Sequence, residues 1–337
     1  MKAWGQRATL AVMQAILAVT IPFFALVLCG YAAARLHLLP EAAVPGLNVF
    51  VLYFALPCML FRFGASTPLL DLLSPGVLGL YLTVAALMVG LTVALTRGPR
   101  VGLRDAAFGA LMAAFPNSGF MGVPLLVALL GTAAAGPVIC SLLADLFFTS
   151  SLCLALAQLH PAAGAPVGQG TVAALRRAMR GALSNPLPWA IALGAASSLA
   201  GLQLPGPLRT LVGMLGDAAT PVALFTIGAV LWRSGQHAAH RTRVRDYLPV
   251  ALLKLLLHPA LVYGLGRAGQ ALGLPLSSFQ LTVLTLAAAQ PSASNVSLLA
   301  ERYGADNGRV ARIIMSSTVL AFGSFTLLAW CFGAQPG

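Results

Sequence analysis

Two short strings combine proline with neutral amides and hydroxyls: Phe115-Pro116-Asn117-Ser118-Gly119 and Gln290-Pro291-Ser292-Ala293-Ser294-Asn295. Both interrupt long apolar stretches. Proline inside a helix removes a backbone donor and clashes with the preceding turn, so Pro116, Pro124 and Pro291 are expected to break or unwind their segments. In a bilayer, freed backbone must line a protein-enclosed or water-filled cavity. There, helix N-termini and free amides can hold an anion, and carbonyls a cation. The side chains of Asn117, Ser118, Gln290, Ser292, Ser294 and Asn295 would add neutral donors and acceptors. A proline can also merely kink a membrane helix, with a nearby Ser or Asn repairing the ladder. Two interrupted segments at corresponding places favour a substrate site. Asn117 and Asn295 are its strongest candidates, because a buried amide is costly without a partner.

Charges inside apolar stretches are the second signal, since one at the bilayer centre costs at least about 2.5–3.5 kcal/mol on insertion scales. Asp145, Asp217 and Lys254 qualify. The ammonium of Lys254 could pair with an aspartate, compensate a bound anion or take part in ion coupling. His258 lies four positions along, on a similar helix face, and is a further candidate for relaying a proton. Arg62, Asp71, Glu301 and Asp306 fall near segment ends and read as interfacial or capping residues. Enzyme signatures are absent: there is no phosphate-binding Walker sequence, no His-Glu-x-x-His and no Gly-x-Ser-x-Gly. The reading is therefore neither an enzyme nor a pump driven by ATP through this chain alone, and it calls for no cofactor. Cys29, Cys58, Cys140, Cys153 and Cys331 lack metal-ligand spacing, so no metal centre is expected.

The elements that must position these groups follow from composition. The 337 residues are 59% hydrophobic and 8% charged, with a mean hydropathy of +0.89. A water-facing surface needs roughly a quarter of residues charged, so the apolar side chains face lipid and each other. Hydropathy places ten membrane helices near residues 10–34, 44–63, 75–96, 105–130, 137–159, 184–203, 208–232, 247–267, 278–300 and 309–333. The basic N-terminal start resembles a signal peptide, but the apolar run from Leu10 to Ala34 is too long for one and reads as a retained first helix. The net charge of +12 is topological rather than a sign of nucleic-acid binding. Fourteen basic residues fall in connections after odd-numbered spans and five on the opposite side, which with Lys254 completes the twenty. That asymmetry predicts both termini on the extracytoplasmic side of a cell (inner) membrane.

The longest polar connection divides the chain into two groups of five spans: residues 1–160, a cytoplasmic loop over 161–183, and residues 184–337. An odd number of spans per half means that two homologous halves insert with opposite orientation. Leu56-Pro57 in span two and Thr220-Pro221 in span seven match, as do the two proline and amide strings in spans four and nine. The expected fold is all-α, with ten transmembrane helices in two inverted five-helix repeats and broken crossover helices 4 and 9.

The chain resembles the auxin efflux carrier family, which includes plant PIN-type auxin carriers and bacterial malonate-type permeases. The resemblance rests on residues 115–125 (Phe-Pro-Asn-Ser-Gly-Phe-Met-Gly-Val-Pro-Leu), Ser184-Asn185-Pro186, and Leu215-Gly216-Asp217 through Gly228. Lys254 with Pro259, Pro291, and Ala300-Glu301-Arg302-Tyr303-Gly304 continue it. It implies a fold related to the bile acid sodium symporters, with a scaffold of helices 1, 2, 6 and 7 and a transport unit of helices 3–5 and 8–10. It also implies organic carboxylate substrates held near Pro116-Asn117 and by Gln290, and elevator-type movement. A homodimer is left open as a further partner. Two departures stand out. Span three has no acidic residue to pair with Lys254, a place Asp145 could fill, and the loop between the halves is short. A small metabolic carboxylate such as malonate therefore fits better than auxin. The alternatives are a sodium-coupled symporter of the bile acid type and, from a different class, an anion channel or membrane receptor.

Overall fold

A computed structural model describes residues 2–68, 72–159, 176, 180–181, 183–236 and 242–334. Most of the expected loop over 161–183, Arg177 included, lies outside the described residues, while Arg176 and Arg180 are described. Twelve helices occur among the described residues: α1 (Lys2–Arg35), α2 (Ala43–Ser66), α3 (Pro75–Thr96), α4 (Leu103–Ala114), α5 (Ser118–Leu130), α6 (Thr132–Gln158), α7 (Pro186–Leu199), α8 (Gly206–Gln236), α9 (Val244–Ala271), α10 (Ser278–Ala288), α11 (Val296–Tyr303) and α12 (Asn307–Cys331). Seven are long and apolar enough to cross a membrane, namely α1, α2, α3, α6, α8, α9 and α12. The others are short because something stops them. Phe115 and Asn117 leave helical geometry after α4, and Pro291 follows the end of α10. The regular structure among the described residues is all helical, and the molecule is a multi-pass membrane protein.

The helices pack in two groups, which meet where α12 lies against α1 and α8. In the first, α1 lies along α8, and α2 along α7 and α8. In the second, α3 packs on α4 and α9, α4 on α6, α9 on α10 and α12, and α11 on α12. The first group is held by reciprocal glycine contacts. A side chain at Gly30 would strike the carbonyl of Phe225, and one at Gly228 the carbonyl of Val27. Likewise Gly194 faces the carbonyl of Phe61, and Gly64 that of Ile191. Only hydrogen at these positions lets the backbones approach so closely, as small residues do generally in membrane helix pairs. The two contact sets are related by a constant 164-residue offset (191 − 27, 194 − 30, 225 − 61, 228 − 64).

In the second group, every residue of α4 from Ala106 to Ala114 is buried, because this helix is central and its alanines leave room for neighbours on all sides. Four helices contain a five-residue π-helical turn: Val51–Ala55, Ser118–Gly122, Asp145–Thr149 and Leu253–Leu257. Three of these have a local cause. Pro57, Pro124 and Pro259 each stand two residues beyond such a turn, where the missing N–H and the ring's clash with the preceding carbonyl open the ladder. At the fourth, the Ser150 hydroxyl donates to the Asp145 carbonyl at 2.9 Å and covers it instead. Pro124 therefore does not break its helix, contrary to expectation. It widens one turn and then opens the α-helical part of α5.

Candidate functional site

The two interrupted stretches meet. Pro116 and Ser292 form an antiparallel bridge, closed by Asn117 N–H donating to Pro291 O at 2.8 Å and Ala293 N–H to Phe115 O at 3.1 Å. Ser292 ties the crossing to its surroundings. Its hydroxyl donates to Met112 O at 2.8 Å, and its N–H donates to Ser317 Oγ at 3.2 Å. Unwound backbone is thus satisfied by the opposite segment rather than by lipid, as a break at membrane depth requires. Pro116, Asn117, Ser118, Gln290, Pro291, Ser292 and Ser294 are all buried, and Asn295 is half-buried.

The side chains around this bridge are under-used. Asn117 Oδ1, Ser118 Oγ, both amide atoms of Gln290, and Asn295 Oδ1 are buried without a hydrogen-bond partner. Each such group costs about 1–3 kcal/mol relative to a satisfied one. Ser294 and Asn295 open onto a narrow cavity of about 30 Å³, with Phe120 beside them and Asn48, Leu52 and Val230 on the facing wall. That volume is about one water's share of liquid. The cavity lies between the two packing groups, because Asn48 and Leu52 belong to α2 and Val230 to α8, whereas Phe120 and Asn295 belong to the crossing.

Two of the buried charges, Asp145 and Lys254, lie in a second cluster. Asp145, on the π-turn of α6, accepts from Tyr81 Oη of α3 at 2.8 Å and from Thr149 Oγ1 at 2.8 Å. Lys254, on the π-turn of α9, lies 2.9 Å from His258 Nδ1 one turn on, and both are buried. The Tyr81 and His258 rings lie 6.0 Å apart, so the two pairs abut. Lys254 and Asp145 make no ion pair within 4.0 Å, and the partner of the ammonium is His258 instead. The turn holding Lys254 packs on α4 and α12, next to the crossing. Asp217 is elsewhere. It pairs with Arg62 at 2.6 Å on an exposed surface, their side chains 74% and 50% accessible, and it does not join the buried cluster.

Several participants were not among the sequence candidates. Asn48 carried no signal beyond being a lone amide in an apolar run, while Tyr81 and Thr149 resemble ordinary packing residues until folding brings them to Asp145. Asn185, part of one resemblance motif, has a structural role, since its side chain caps α7 by accepting from Leu187 N–H at 3.0 Å.

The family model described as "Membrane transport protein" matches residues 15–330. A Rhizobium meliloti protein named "Putative malonate transporter" is 30% identical, the match covering 96% of this chain and 98% of that one. An "Uncharacterized transporter" of Methanothermobacter thermautotrophicus is 29% identical, with 90% and 93% covered. The "Uncharacterized transporter YfdV" of Escherichia coli K12 is 25% identical, with 90% and 92% covered. With a match running almost from end to end, the chain belongs to the membrane transport protein family, the auxin efflux carriers that its motifs resemble.

Proposed function

We propose that this protein is a secondary active transporter of small organic carboxylates, working by elevator-type alternating access. The observation that carries this reading is the set of unpartnered amide and hydroxyl groups of Asn117, Ser118, Gln290 and Asn295 at the crossing of two interrupted segments. A buried polar atom without a partner calls for a water, an ion or a ligand to complete it, and five such atoms gather at this crossing. The donors among them, with the amides of broken helices, suit a carboxylate. The name of the Rhizobium meliloti relative points to malonate as the first substrate to try.

On this reading the chain has ten spans in two inverted repeats, residues 1–160 and 184–337. Helices α4 and α5 form span four, and α10 and α11 form span nine. The 164-residue offset between the α1–α8 and α7–α2 glycine contacts supports the repeat, since an inverted pair must reproduce its partner's packing. The first packing group would be the scaffold and the second the moving unit, with the termini extracytoplasmic in a cell inner membrane. Lys254 compensates substrate charge or carries the coupling proton, and Asp145, held by Tyr81 and Thr149, is a second buried charge in the same cluster.

Thermal stabilisation of the purified protein by a panel of mono- and dicarboxylates, with and without sodium, tests the site. Ligand that binds the folded state raises the melting temperature by mass action. The proposal predicts a shift for small carboxylates, absent in Asn117→Ala and Asn295→Ala and independent of sodium. A sodium-dependent shift would favour the bile acid type of symporter, and equal shifts in wild type and both variants would remove the site assignment.

A further inference from the structure

A second polar recess lies far along α8 from the crossing, at the face where α2 and α7 end and α8 begins. It is a cleft of about 530 Å³ lined by Arg62, Arg209 and Gln203 on its polar side and by Phe61, Leu202 and Val212 on its apolar side. Arg209, Gly213 and Asp217 follow one another at four-residue steps and so share a face of α8. Arg62 of α2 reaches across to that face, donating to Asp217 Oδ1 at 2.6 Å and to Gly213 O at 3.4 Å. Asp217 thereby neutralises Arg62, while Arg209, one turn before Gly213, has no hydrogen bond or ion pair from its guanidinium among the described residues. Gln203 likewise has no side-chain partner among them. The cleft carries one net positive charge and unused donors on both guanidinium groups and the amide.

Its rim is apolar: Leu202, which lines the cleft with Leu204, is 68% accessible. A ligand that matches both halves has one negative charge, several acceptor oxygens and an attached hydrocarbon. We propose that this cleft binds the phosphodiester headgroup of an anionic phospholipid. The phosphate sits between Arg209 and Arg62, with Gln203 donating to the headgroup and an acyl chain lying along Leu202 and Leu204. Guanidinium groups favour phosphate through paired hydrogen bonds.

The test titrates delipidated full-length protein in detergent with phosphatidylglycerol or phosphatidylcholine of matched chains and counts bound lipid by native mass spectrometry. We predict one tightly held phosphatidylglycerol and weaker phosphatidylcholine. Half-occupancy should need roughly tenfold more lipid in Arg209→Gln, the loss of one charge-assisted contact. Arg209 is exposed, so this variant should keep the wild-type melting temperature without lipid. Asn117→Ala should bind lipid normally, which separates this cleft from the carboxylate site. Inorganic phosphate that displaces the lipid from wild type but not from Arg209→Gln would support the same anion contacts. Equal retention of both lipids by wild type, or undiminished phosphatidylglycerol binding in Arg209→Gln, would overturn the assignment.

Discussion

Lys254 and His258 lie four residues apart on one helix, and their side chains are each other's partners at 2.9 Å. An ammonium buried without a carboxylate is an expensive group to keep, and replacing it by a hydrophobe of similar length is often neutral or stabilising to the fold. We predict that Lys254→Met keeps or raises the melting temperature while carboxylate transport in liposomes falls by at least about tenfold, the effect of losing one charge-assisted contact. Normal transport by a well-folded Lys254→Met protein would remove this residue from the mechanism. Tyr81→Phe should behave in the opposite sense. It strips a donor from the buried carboxylate of Asp145 and should destabilise the protein by about 1–3 kcal/mol, measurable as a lower melting temperature. Lys254 and Asp145 stood out in the sequence because charges in apolar runs are rare, and the structure buries both. Their partners did not stand out, since Tyr81 is 64 positions from Asp145 and no local pattern marks that contact. Asp217 shows the converse difficulty: a charge near a helix start resembles a buried one until its exposed partner Arg62 is placed.

Among the helices, the glycine contacts give the sharpest expectation. Gly30→Leu or Gly64→Leu should push apart α1 and α8, or α2 and α7, and cost about 1–3 kcal/mol or more by overpacking. Gly79→Ala on α3 meets nothing within 4 Å and should be neutral or slightly stabilising. Melting temperatures of the three variants check the ranking, and equal effects would contradict the packing described. At this scale the breaks near Pro116 and Pro291 were readable because proline acts locally. The π-turns were not anticipated, yet their signal was present in Pro57, Pro124 and Pro259, each two residues beyond one. Pro221 lies inside α8 without such a turn, so proline alone does not determine the response.

For the whole molecule, the proposal requires the crossing to move against the helices that face it. Asn48 of α2 and Ser294 of the crossing line the same narrow cavity from opposite packing groups. In a background lacking the native cysteines, Asn48→Cys with Ser294→Cys should therefore lose transport on oxidative cross-linking and regain it on reduction. Cross-linked protein that still transports would rule out sliding between these groups. The all-helical class and multiple membrane passages followed from composition alone. The matching glycine contacts did not, because they are defined by which backbones touch rather than by any short motif.

The most direct measurement is malonate counterflow into proteoliposomes by wild type, Asn117→Ala and Asn295→Ala. The account predicts saturable exchange by wild type and none by either variant, with all three folded to the same extent. Non-saturable flux in wild type, or undiminished exchange in both variants, would contradict a carboxylate carrier that binds its substrate where the two broken helices cross.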